Sequence, residues 1–259
     1  MRMRLFPILI LAAGACDAQP VDSPAPADNA REFPRAAEAV TFAAADKVTV
    51  HGLYYQAPNP KALILLFHQA GSNKAEYATI APRLVDAGYS ALAIDQRSGD
   101  AMFGGRNETV AGLGASAGYL DAKADLVAAL AWAQGKGRPV ILWGSSYSSS
   151  LVLLVAAENP GKIAALLSFS PDEYLGDGNV VRGAAAKVQT PIFVTSAKDD
   201  AEIAAAKAIF DASPSPGKVR FVPQAGGVHG SSTLIAARNA AGAEENWRAV
   251  LAFLGAAAQ

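Results

Sequence analysis

The sequence predicts an α/β fold, a doubly wound and mostly parallel sheet flanked by helices within one domain. Three observations lead to it. From about residue 48 onward, apolar runs of strand length alternate with segments of helical period, the order that βαβ units require. One of those runs, ALILLF at residues 62–67, is apolar throughout, as befits a strand covered on both faces. The 259 residues are 51% hydrophobic and 17% charged, which supplies a large core and argues against disorder.

Residues 48–55 alternate with period two and predict an early antiparallel strand. The buried strand at 62–67 is followed by a helical pattern over 74–87, ended by Gly88, and a strand over 89–94. A glycine-rich irregular stretch occupies about 98–118, and a helix follows over 120–134. The second half repeats the order, with strands at 140–143, 163–169, 191–196 and 219–222 and helices at 147–157, 201–212 and 244–254. No internal repeat or second linker interrupts this pattern, so residues 36–259 read as a single domain.

The first 35 residues read differently. Arg2 and Arg4 precede a short apolar run over 5–13. A bilayer span needs about 20 residues, so residues 1–15 have the form of a signal peptide instead. The only cysteine, Cys16, follows Ala13-Gly14-Ala15. This resembles a bacterial lipobox, which implies lipidation of Cys16 and a membrane anchor. Asp17 resembles an inner-membrane retention signal. Ala13 stands where a lipobox usually has leucine, and Ala13-x-Ala15 also fits ordinary signal peptidase, so soluble export stays open. Residues 16–35 are rich in proline, alanine and aspartate and read as a tether.

Composition excludes several function classes. A formal net charge of −1 gives no electrostatic case for nucleic acid. One cysteine excludes an internal disulfide, and His51, His68 and His229 are too dispersed for a zinc motif. The GLGASAG run at 112–118 does not follow a strand and has the wrong spacing for dinucleotide binding. No cofactor or metal is expected. Asn107-Glu108-Thr109 is a glycosylation sequon by pattern only.

An open α/β sheet places chemistry at the carboxyl ends of its strands. There, VILWGSSYS at 140–148 runs from an apolar strand through a small-residue turn into an apolar helix. A nucleophile on such a turn needs small residues two before and two after it. Gly144 and Ser148 satisfy this around Ser146, whereas Ser145 would have Trp143 behind it. GSSYS resembles the G-x-S-x-G elbow of the α/β-hydrolase superfamily, with Ser148 in place of the last glycine.

That resemblance implies where the remaining parts lie. The HQAG turn at 68–71 is similar to the superfamily's H-G-x turn, which gives one oxyanion N–H. It maps onto Ala70, with Gln69 as the alternative, and the other N–H belongs to Tyr147. His68 is read as a brace for this loop. The general base is expected last in the chain, at His229 in the glycine-rich loop after the final strand. A G-x-x-D pattern, here Ala197 to Asp200, makes Asp200 the acid, with Asp199 and Asp172 as alternatives. The turn at 95–99, DQRSG, is similar to a D-x-R-G turn whose arginine has a structural role. Tyr147, Phe103 and Tyr174 could line an acyl pocket or belong to the core.

The lack of a large insertion after the sixth strand is similar to lidless, dienelactone-hydrolase-like members. Those commonly use a cysteine nucleophile, so lactone activity is not carried over. The resemblance implies a serine hydrolase that cleaves an ester or related acyl bond of a small molecule through an acyl-enzyme. A peptidase, a thioesterase, or a catalytically silent, membrane-tethered binding protein are the alternatives, and the oligomeric state is open. The N-terminal reading has its own check: metabolic labelling with a fatty-acid probe should mark the protein and leave Cys16→Ala unmarked.

Overall fold

The computed structural model describes residues 37–176 and 178–257. The segments expected to be a signal peptide (1–15) and a tether (16–35), with Cys16, lie outside the described residues.

Eight strands form one sheet: β1 (Glu38–Ala43), β2 (Thr49–Tyr55), β3 (Leu63–Phe67), β4 (Ser90–Asp95), β5 (Val140–Ser145), β6 (Ala165–Phe169), β7 (Ile192–Thr195) and β8 (Val219–Phe221). Their spatial order is β1-β2-β4-β3-β5-β6-β7-β8. β1 and β2 pair antiparallel, and β2 pairs antiparallel with β4. The other five pairings are parallel. The helices are α1 (Ile80–Asp86), α2 (Glu108–Leu113), α3 (Lys123–Gln134), α4 (Tyr147–Glu158), α5 (Val180–Ala185), α6 (Asp200–Ala212) and α7 (Ala243–Ala257).

Strand residues alternate between two cores because successive side chains point to opposite faces of a sheet. Leu63, Leu65, Phe67, Leu142 and Val194 pack with residues of α3, α4, α5 and α6. Ile64, Leu66, Ile141, Trp143 and Phe193 pack with residues of α1 and α7. All five residues of β3 are buried. Double coverage is therefore the physical reason that the strand reads as one apolar run.

Several elements differ from the sequence reading, among them α5, where no helix was expected. β1 shows only partial or no burial along its length, so its hydrophobic period is weak and pairing with β2 defines it. The helix expected over 74–87 divides into a 3-10 turn, Lys74–Tyr77, and α1. The stretch over 98–118 contains α2 and is fastened by polar contacts. Asp95 accepts the Lys74 and Glu108 N–H groups, each at 2.8 Å, while Lys74 Nζ bridges Asp95 and Glu108 at 2.6 Å. Asn107 of the sequon is buried, and its amide donates to Gln96 O at 2.8 Å. It is committed to the fold.

Arg97 has the structural role its turn implied. Its guanidinium contacts buried Asp125 at 2.7 Å and Asp46 at 2.5 Å, and its N–H donates to Asp125 at 2.8 Å. Breaking a buried pair leaves a charge without its partner, at a cost of about 3 kcal/mol or more. Asp125→Asn should therefore lower stability by about that amount, read from a denaturant midpoint. A wild-type midpoint would count against this role.

Candidate active site

Four loops at the carboxyl ends of β3, β5, β7 and β8 meet at one place. The turn after β5 is held tightly. Ser146 has φ +82° and ψ −121°, a conformation that side chains rarely adopt and that must be imposed by its surroundings. A Cβ at Gly144 would lie 2.3 Å from Ser148 O, so only glycine lets strand and helix approach this closely. Ser146 N–H donates to Phe169 O at 2.9 Å.

Ser148 fits despite replacing a glycine because its side chain turns back on the elbow. Its Oγ accepts Ser145 N–H at 2.8 Å and lies 2.7 Å from Phe67 O. Ser145 is fully buried, whereas Ser146 retains a little exposure at the surface of the site.

The structure brings Ser146 and His229 together. Their Oγ and Nε2 atoms are 2.7 Å apart. The other ring nitrogen, Nδ1, is 2.7 Å from Glu202 Oε1. A carboxylate only accepts, so Nδ1 carries the proton and Nε2 accepts from the serine hydroxyl. The His229 loop is fixed by its neighbours: Gly230 N–H donates to Ser170 Oγ at 3.0 Å and Ser231 N–H to Ser145 Oγ at 2.8 Å. Gly230 has φ +65°, and a Cβ there would meet Ser145 Oγ at 2.4 Å.

The acid expected at Asp200 is a correction. Glu202 is the only carboxylate among the described residues that pairs with His229. Asp199 caps α6 by accepting the Ala201 and Glu202 N–H groups at 3.1 Å. This starts the helix at Asp200, which is exposed. Asp172, the other alternative, is also exposed, and its Oδ1 accepts Glu173 N–H. Glu202 sits in the first turn and reaches back with its longer side chain. There its second oxygen accepts Ala197 N–H at 3.0 Å.

A sequence signal existed, because Asp199-x-x-Glu202 spells a capping box. That pattern has an ordinary structural meaning, and nothing in the local sequence reveals that the glutamate turns toward a distant histidine.

The electrostatics suit this arrangement. Burial disfavours a charged Glu202, but hydrogen bonds from His229 and Ala197 outweigh it and hold the carboxyl at about 2. The start of α6 adds a favourable dipole. The Glu202 hydrogen bond raises the His229 pKa above its ordinary value, against partial burial. His68 differs: burial pushes it down to about 4 and keeps it neutral. Its Nδ1 lies 2.8 Å from Gln69 O and its Nε2 accepts Gln96 N–H at 3.0 Å, so it braces the loop.

Gln69 N–H donates to Glu76 at 2.8 Å. Of the two donors expected on this loop, Gln69 is thus committed elsewhere and Ala70, among the described residues, is not. Tyr147 begins α4, and the first N–H groups of a helix have no intrahelical acceptor. The Tyr147 ring is buried and stacks on half-exposed Tyr119, with centroids 4.5 Å apart. Tyr174 stands beside Ser146 and is half-buried. Phe103 lies under the Arg238 guanidinium at 4.1 Å.

A recess of about 340 Å³ opens at His229, lined by Gln69, Met102, Val228, His229, Ser232 and Arg238. A larger apolar groove of about 540 Å³ runs between β8 and α7 and contains none of these residues. The recess is therefore the functional candidate, despite its smaller volume. Among the described residues, no group of three His, Cys, Asp or Glu side chains could hold a metal ion. No described helix is long and apolar enough to cross a membrane.

A family model described as serine aminopeptidase, S33, matches residues 58–178, a span that includes Ser146. Known structures agree over most of the chain. An esterase from Pyrococcus furiosus aligns with a TM-score of 0.65 and 16% identity, covering 86% of this chain and 93% of its own. The fold is that of the α/β-hydrolases. A dienelactone hydrolase from Anabaena variabilis aligns with this chain at a TM-score of 0.61 and 21% identity, covering 81% of this chain and 96% of its own. A thermostable carboxyl esterase from Bacillus coagulans, in complex with glycerol, gives 0.64 and 12%, covering 86% and 99%. No curated protein matches the sequence significantly.

The site geometry predicts a pH profile. His229 must be neutral to take a proton, so kcat/KM should fall as pH drops through its raised pKa, above about 6.5. Glu202→Gln removes the charge that favours the imidazolium. It should move that limb to lower pH and reduce kcat by on the order of 10³–10⁴, whereas Asp200→Asn should leave both near wild type. A pH–rate series on the three proteins checks this.

Proposed function

We propose that this α/β-hydrolase is a serine esterase acting on small acyl substrates. The observation that carries this reading is the continuous hydrogen-bonded array from Ser146 Oγ through His229 to Glu202, with 2.7 Å at each step. Ser146 attacks the acyl carbonyl while His229 Nε2 takes its proton. The N–H groups of Tyr147 and Ala70 stabilise the oxygen that becomes negative. His229 then returns the proton to the departing alcohol, leaving an acyl-enzyme. Water, deprotonated by the same imidazole, releases the acid and restores Ser146. Glu202 holds the ring in the tautomer that both steps need and stabilises the imidazolium.

The recess at His229 combines apolar Met102 and Val228 with polar Gln69, Ser232 and Arg238, which suits a small substrate with both apolar and polar parts. The S33 match keeps an aminopeptidase reading as the second possibility. Export with a lipid anchor at Cys16 would place the activity outside the cytoplasm.

Treatment with a fluorophosphonate probe tests the assignment. Wild-type protein should be labelled and Ser146→Ala should not, with kcat on p-nitrophenyl esters reduced by on the order of 10⁴ or more in the variant. Equal labelling of both, or none of either, would remove the nucleophile assignment and favour a silent binding protein. Faster turnover of aminoacyl p-nitroanilides than of esters would favour the peptidase.

A further inference from the structure

Glu76 lies on the 3-10 turn that follows the oxyanion loop and is 1% exposed. Such burial is costly for a carboxylate, and among the described residues it is paired with no lysine or arginine. Its partners are hydrogen-bond donors from the working loops. Oε2 accepts Gln69 N–H at 2.8 Å, and Oε1 accepts the Ser145 hydroxyl at 2.7 Å. Ser145 Oγ in turn accepts Ser231 N–H at 2.8 Å.

These contacts join the three segments that carry the reacting centre, beside the links from Ser148 Oγ to Phe67 O at 2.7 Å and from Trp143 Nε1 to Ser231 Oγ at 2.8 Å. Gln69 adjoins Ala70, Ser145 adjoins Ser146, and Ser231 lies two residues beyond His229. A carboxylate can accept from both Gln69 N–H and Ser145 O–H. A glutamine of the same shape can accept only one of them and presents N–H donors to the other.

We propose that Glu76 is a positioning residue whose carboxylate keeps the Ala70 N–H, Ser146 and His229 in register by fastening the loops that carry them. The loss of kcat expected from this role rests on the esterase reading, whereas the hold on the His229 loop does not. Burial pushes the Glu76 carboxyl up to about 7, while the Gln69 and Ser145 hydrogen bonds oppose that rise. Those donors favour the ionised form that the role requires, which predominates above about pH 7.

The test compares Glu76→Gln and Ser145→Ala with wild type, after circular dichroism has shown which variants are folded. Ser145→Ala removes the same link without changing charge, so it serves where Glu76→Gln fails to fold. Both variants should lose about tenfold or more in kcat and in fluorophosphonate labelling rate, with KM within about twofold; their double variant should be little worse than either. The low-field proton resonance of the His229–Glu202 hydrogen bond, assigned by its loss in His229→Gln, should shift or broaden in both. Wild-type kcat with an unchanged resonance in both variants would overturn the proposal, as would a change confined to KM. Wild-type protein that ignores the probe but whose resonance moves in both variants would sink the esterase reading and leave this one standing.

Discussion

The close approach of β5 to α4 is the constraint from which the site follows. Gly144 leaves no room for a side chain against the Ser148 backbone, and Ser146 is held at φ +82°. That conformation costs about 1–3 kcal/mol and must be imposed by the surrounding structure. The same compression buries the hydroxyls of Ser145 and Ser148, which then need partners because an unpaired buried polar group is expensive. Ser148 reaches the end of β3, and Ser145 reaches both Glu76 and Ser231. A strained turn thus becomes the hub that connects the loops after β3, β5 and β8.

A chain with few charges spends its buried ones at strand ends. Arg97 with Asp46 and Asp125, and Lys74 with Asp95 and Glu108, fasten the long stretch after β4 through ion pairs. Glu202 instead faces an imidazole whose protonation state can change, and the half-exposed position of that ring leaves it open to a reactant. Glu76 faces neutral donors only. These are three different uses of a carboxylate, distinguished by partner and burial.

Local sequence carried much of the molecule because the local pattern and the tertiary environment agreed there. The apolar run of β3 reflects coverage on both faces, and the small residues flanking Ser146 reflect a real steric limit. His229 was legible from its place in a glycine-rich loop after the last strand, where Gly230 admits the tight contact with Ser145. Legibility failed where two structures share one pattern. β1 has little burial to imprint a period, and Asp199-x-x-Glu202 spells a helix cap whichever way the glutamate points.

The sequence by itself determined the alternation of strands and helices, the elbow serine and the position of the histidine, since each depends on residue size or periodicity along a short segment. Tertiary structure decided which acid faces the histidine, which N–H of the HQAG turn is already committed, and where buried Glu76 makes its contacts. The acid's contact with the histidine and Glu76's contact with Ser145 join side chains 27 and 69 positions apart. No local pattern can encode a partner at that distance. Hydrogen-bond satisfaction inside the folded core selects it.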